Sequence, residues 1–184
     1  MAESESLKRP RFFNGQLLRA EDLELEQQYF LDKSKRHNRS LHGFGIVSGL
    51  TVTLKEGLII VDPGLALDCE GNELVITAAQ SIVAPLKSDW TSAYLNVSYS
   101  EEKTDPVPLV TDEPLASTDN LAEASTITEG FAIVVAQENC NRGHRHLRAR
   151  WLACGKPHAL TIAKLRHTSH GWRVERGYRP ARIK

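Results

Sequence analysis

The sequence changes its pattern once, at Gly43, and that change sets what the chain can fold into. From Glu21 to about His42 it is rich in Leu, Glu, Gln and Lys and holds neither Pro nor Gly. Leu23, Gln27, Phe30, Ser34, His37 and Leu41 recur at spacings of four and three, and Leu25 and Leu31 widen the stripe. That period predicts one helix. Glu21, Asp22 and Glu24 fall in its first turn and Lys35, Arg36 and Arg39 in its last, the order a helix dipole favours. Gly43 supplies the stop. Beyond it the chain reads as short apolar runs broken by turn residues: Ile46-Val47, Leu50 to Leu54, a tight turn at Lys55-Glu56-Gly57, Leu58 to Val61, and a turn at Asp62-Pro63-Gly64. Leu65 to Asp68, a turn at Glu70-Gly71-Asn72 and Glu73 to Thr77 follow. Turn signals every eight to twelve residues indicate antiparallel strands.

Tyr94 to Tyr99 and Phe131 to Ala136 are further predicted strands, and Leu160 to Leu165 with Trp172 to Glu175 a final hairpin around Ser169-His170-Gly171. Glu101 to about Thr126, rich in Pro, Asp, Thr and Ser, reads as a long exposed loop, and Gly143 to Ala153 as a short helix. The expected fold is mainly β, an antiparallel sandwich or barrel-like domain over residues 44–184. An extended N-terminal arm (Pro10 to Leu18, with Phe12-Phe13 and a turn at Asn14-Gly15) and the helix precede it within residues 1–43. No run of apolar residues is long enough for a membrane-spanning helix, and the first six residues, MAESES, lack the apolar stretch of a signal peptide.

Residues 11–52, RFFNGQLLRAEDLELEQQYFLDKSKRHNRSLHGFGIVSGLTV, resemble the N-terminal signature of a family of structural proteins found with phage tails and contractile injection systems. The pattern is an aromatic arm ending in GQLL, a helix with an acidic pair and EQ-x-Y, then HNR-x-LHG-x-G-x-V-x-GL. Weaker likeness continues in VDPGLALD with Gly71, in Tyr94 to Tyr99 followed by TDPVP, in ITEGF, and in the closing hairpin. Arg19 departs from the family by standing where a Ser or Thr helix cap is expected. The resemblance implies a structural, baseplate-associated component of a tail or tail-like particle, assembled in the bacterial cytoplasm, with other tail or baseplate subunits as partners. It does not imply an enzyme.

Three groups of residues are candidates for contacts or chemistry. In the first, Phe12 and Phe13 are hard to bury within so small a domain and are expected to meet a neighbouring subunit. In the second, the helix end Arg36, His37, Asn38, Arg39 and His42 reads as a junction. The arginines would fork onto carboxylates while Asn38 and His42 satisfy backbone groups of the β-domain. The plainer reading is a helix end with dipole-matched charges. No Ser, Cys or paired acid stands in a motif that would make either histidine a catalytic base.

The third group lies in the basic C-terminal segment, residues 140–184. The formal net charge of zero, 23 Lys and Arg against 23 Asp and Glu, conceals a division. From Asn141 to Lys184 there are twelve basic residues and one acid, Glu175, so this segment carries +11 and the rest −11. Arg145, Arg148 and Arg150 are expected to meet an anionic surface of this chain or of a neighbour. Nucleic acid is the weaker partner, because no nucleic-acid-binding signature accompanies the charge. Cys140 with His144, and Cys154 with His158, are two Cys-x3-His segments whose thiolates and imidazoles would complete a tetrahedral zinc site. Free thiols beside chance histidines, or a Cys140–Cys154 disulfide, are the competing readings. A zinc-stabilised module binding nucleic acid or an anionic glycan is therefore the alternative function. Cys69 is expected to be a small packed residue beside a turn. Asp62 is expected to bond the backbone of its own turn. Asp62, Asp68, Glu70 and Glu73 lack the spacing of a calcium loop.

Overall fold

A computed structural model describes residues 7–86, 90–109, 122–141 and 158–183. Helix α1 (Ala20–His37) runs into one π-helical turn, Asn38–His42, and ends at Gly43. Arg19 offers no side-chain cap. Instead the Asp22 carboxylate accepts the Arg19 backbone N–H at 3.1 Å, which supplies the reverse half of a capping box.

Ten strands then form three antiparallel sheets among the described residues. β1 (Gly45–Gly49), β4 (Gly64–Leu67) and β5 (Glu73–Ile76) make one, in the order β1-β4-β5. β2 (Val52–Lys55), β3 (Leu58–Val61) and β6 (Gln80–Val83) make the second, in the order β2-β3-β6. β7 (Ser92–Pro108), β8 (Ala122–Ala136), β9 (Ala159–Thr168) and β10 (Gly171–Val174) make the third, in the order β10-β9-β7-β8. The mainly antiparallel β architecture with an N-terminal arm and a single long helix is the one the sequence predicts.

Residues 45–67 are one hairpin bent across two sheets. Its tip is the Glu56-Gly57 turn, both residues at positive φ, the geometry of a two-residue hairpin loop. At the bend, Leu50 N–H donates to Pro63 C=O and Asp62 N–H to Thr51 C=O. The two strands cross there so closely that a Cβ on Gly49 would lie 2.1 Å from the Pro63 carbonyl oxygen, and one on Gly64 2.4 Å from that of Ser48. Only glycines fit this crossing. The bend turns Ile46, Leu50, Ile59, Val61, Ala66, Leu74 and Ile76 inward against Leu95, Val97, Leu160 and Leu165 of the third sheet. Trp172 closes that core and donates its indole N–H to Pro85 C=O at 2.8 Å.

The expected loop at 101–126 is corrected at its two ends, its middle, 110–121, lying outside the described residues. β7 stays paired with β8 from Tyr94↔Ala136 out to Pro108↔Ala122. β9 covers the other edge of β7 only from Ser92 to Ser98, so beyond Tyr99 the two strands form a two-stranded ribbon. Both faces of most of this ribbon meet water, so polar residues fill it, and Pro106 and Pro108 are tolerated because one edge of β7 is free. The sequence gives no sign of β6, a four-residue edge strand. The predicted helix at 143–153 lies outside the described residues.

Where the β7–β9 register shifts, at Leu95/Asn96, a buried polar cluster replaces the missing ladder bonds. The Asn141 side-chain amide donates to Thr161 C=O and accepts Thr161 N–H, both at 2.9 Å, as a neighbouring strand would. The buried Thr161 hydroxyl donates to Asn96 Oδ1 at 2.6 Å and accepts Cys140 N–H at 2.9 Å. Thr161→Val removes both bonds at nearly constant volume and leaves Asn96 and Cys140 unsatisfied. We expect a loss of about 2–3 kcal/mol in urea unfolding, with Thr161→Ser losing roughly half as much or less.

Candidate functional site

The helix end meets the β-domain at the turn of residues 68–73. Asp68, almost fully buried, organises it. Its Oδ1 accepts the N–H of Glu70 at 2.8 Å and of Asn72 at 2.9 Å, and its Oδ2 accepts the Asn72 side-chain amide at 2.7 Å. The side-chain-to-backbone turn expected of Asp62 thus forms at Asp68. With the turn's N–H groups occupied inside, its carbonyls are left for the helix. Asn38, buried, donates its amide to Gly71 C=O at 3.0 Å and reaches Glu73 Oε1 at 3.4 Å. Arg39 donates through Nη1 to Glu70 C=O.

Asn38 therefore does what the sequence predicts of it, and Arg39 places Nη1 on a backbone carbonyl of the turn. Gly71 is required twice. Its φ is +90°, and a Cβ there would lie 2.1 Å from the Lys35 carbonyl oxygen. Lys35 in turn holds Nζ 5.7 Å from the ring centre of Tyr99. Burial first, then the hydrogen bond to Glu101 and the charge of Glu129, push the Tyr99 phenol above its ordinary pKa.

The other predicted helix-end residues lie on the outer side. His37 and His42 are exposed, their rings 5.4 Å apart. Arg36 borders a hollow with Tyr29, Leu25 and Leu7, so the start of the arm runs beside α1. Phe12 and Phe13 stand out from the arm, Phe13 being 64% exposed, and Leu17 reaches 83%. Arg145, Arg148 and Arg150 lie outside the described residues.

The predicted zinc set is only half placed, since His144 and Cys154 also lie outside the described residues. Cys140 sits at the Thr161 cluster, where burial, then the charge of Glu138, raise its thiol pKa against the lowering effect of Thr161. His158, at the start of β9, faces Cys69. Its Nδ1 is 2.5 Å from Cys69 Sγ and its Nε2 2.8 Å from Glu70 Oε1. The sequence reading missed this pairing because Cys69 and His158 are 89 residues apart. No group of three or more His, Cys, Asp or Glu able to hold a metal occurs among the described residues. No helix among them is long and apolar enough to cross a membrane.

No protein-family model matches the sequence. No curated protein matches it either. Solved structures do match in fold. A chain of the type VI secretion system TssK-TssF-TssG baseplate subcomplex, determined by cryo-electron microscopy, aligns with 95% of this chain at a TM-score of 0.56 and 12% identity. A chain of the type VI secretion baseplate complex aligns with 95% at 0.54 and 10% identity. The present chain spans 62% and 60% of the lengths of those two.

The junction makes a direct prediction. Gly71→Ala adds a Cβ against the Lys35 carbonyl, whereas Gly57→Ala carries only the positive-φ cost, since nothing lies within 4 Å of its Cβ. Gly57→Ala should cost about 1 kcal/mol and Gly71→Ala clearly more, roughly 2–4 kcal/mol, by chemical denaturation. Asn38→Ala should cost about 1–3 kcal/mol by leaving the Gly71 carbonyl unpaired.

Proposed function

We propose that the chain is a structural subunit of a contractile, tail-like particle, and that it assembles with other baseplate subunits through its arm and α1. One observation carries this reading. α1 has no buried residue along Ala20–His37, yet it displays Leu23, Leu25 and Phe30, the last 53% exposed. The arm adds Phe13, Leu17 and Leu18 to the same end of the chain, and Leu41 follows the helix. So many large apolar side chains left to water along one arm and helix mark a contact with another protein. Between α1 and the β7–β8 ribbon runs a groove of about 1250 Å³, bordered by Phe30, Leu31, Lys103 and Ile127. It is roomy enough to receive a strand or helix of a neighbouring subunit. The N-terminal signature and the fold likeness to type VI baseplate chains support the same class of role. The reading is one of assembly and not catalysis, because the polar residues of the junction serve backbone groups of the fold.

Removing residues 7–18, or introducing Leu23→Asp with Phe30→Asp, should leave unfolding within about 0.5 kcal/mol of the parent, because these side chains contribute little to the core. Both variants should fail to co-sediment with assembled particles. Wild-type incorporation of either defeats the proposal.

The division of charge predicts the accompanying electrostatics. Association of the purified chain with its partner subunits should weaken as salt is raised. Arg145→Glu, Arg148→Glu and Arg150→Glu together should abolish co-purification at a denaturant concentration where circular dichroism still reads a folded chain.

A further inference from the structure

We propose that a second copy of this chain docks head-to-tail on the first, its Glu101 and Glu129 seated on Arg166 and Arg173. The contact uses neither the arm nor α1, so it stands apart from the assembly reading above. Two like-charged pairs carry it. In the β9–β10 hairpin Arg166 and Arg173 are direct cross-strand partners. In the β7–β8 ribbon Glu101 and Glu129 are direct cross-strand partners. All four residues are exposed, and none makes an ion pair among the described residues. Like charges directly opposite one another destabilise a sheet, so each pair weakens the lone chain. Two residues further along the hairpin the arrangement is the favourable one, with Lys164 meeting Glu175 at 2.9 Å.

One chain cannot bring its own two pairs together. Arg166 lies beside Ser92 of β7, and Glu101 stands far along that strand, roughly 30 Å away. Side chains alternate along a strand, which puts Glu101 on the face of Leu95 and Val97 and Arg166 on the opposite face with Ser92 and Tyr94. β10 and β8 are also the two edges of the sheet. The basic end of one copy therefore meets the acidic end of the next, a heterologous contact that leaves one complementary end free on each. Both pairs have the spacing of a ladder, about 5 Å between Cβ atoms, so two arginines meet two carboxylates one to one. The surroundings match in sign. The ribbon adds Glu102, Asp105 and Glu123 against one cation, Lys103, while Arg176, Arg179 and Arg182 follow the hairpin. Because the rest of the chain is acidic it repels a polyanion, which makes an acidic protein surface the better partner for the arginines.

The test is sedimentation velocity of the full chain at low salt, over a concentration series. Wild type should self-associate, and added salt should reverse it. Arg173→Glu and Glu101→Lys should each weaken self-association about 10-fold or more. Each substitution sets opposite charges across its own strand pair, so neither variant should unfold at a lower urea concentration than wild type. Mixed one to one, the two variants should form a dimer that grows no further, because Arg173→Glu keeps the glutamate pair and Glu101→Lys keeps the arginine pair. Should either variant fail to fold, Arg173→Gln and Glu101→Gln take their places in the same mixture. A monomeric wild type overturns the proposal, as does a variant that self-associates like wild type or a mixture that stays monomeric. A monomeric wild type that retains a single-stranded oligonucleotide, with retention lost in Arg173→Glu, overturns it in favour of a polyanion on the arginines.

Discussion

The turn held by Asp68 is the point on which the placement of the helix depends. A buried carboxylate accepting two backbone N–H groups and one side-chain amide fixes the conformation of residues 68–72. Because those donors are used inside the turn, the carbonyls of Glu70 and Gly71 are turned toward α1, where Arg39 and Asn38 meet them. Gly71 brings the two backbones into a contact that any side chain would block. α1 buries no residue of its own, and an isolated helix of this length is marginal in water. Its direction is therefore set from its C-terminal end.

The apolar residues of the chain fall into two populations that do different work. One is enclosed by the three sheets, with Ile59, Val61, Ala66, Leu74, Leu95, Val97 and Leu165 fully out of water. Burial of that set stabilises the β-domain without help from the helix. The other, along the arm and α1, is left at the surface. The β7–β8 ribbon extends past the sheet in the same manner, paired by its backbone but with little core beneath it. Arm, helix and ribbon are thus excess structure relative to what the core needs.

Legibility in the sequence followed how local the cause was. The β2–β3 hairpin was readable from Lys55-Glu56-Gly57, since the turn chemistry lies in consecutive residues. The helix was readable from its period, although that period does not pack on this domain's core. The outer ribbon was unreadable for a physical reason. Strands solvated on both faces need no apolar alternation, so Glu101 to Pro108 carries the composition of a loop while forming a ladder with Ala122 to Glu129. At the site, Asn38 and Arg39 stood out as a polar cluster on a helix end. Both reach backbone carbonyls of the turn, which every residue has and no sequence advertises. Cys69 and His158 escaped because spacing rules compare near neighbours.

The chemistry of the junction follows from having to hold a helix that buries no apolar side chain against the β-domain. Apolar contacts are non-directional, and a helix seated by them can slide or roll to find more area. A seat made from buried hydrogen bonds has one solution, because each misplacement strands a buried donor or acceptor. Asn38 on Gly71 and Arg39 on Glu70 thereby fix register and direction using two side chains of the last turns, leaving Leu23, Leu25 and Phe30 uncommitted. The π-helical turn at Asn38–His42 belongs to the same solution. It adds one residue to the hydrogen-bonded loop, with Gly43 N–H reaching Asn38 C=O. That widening lets the chain leave the seat and enter β1 directly.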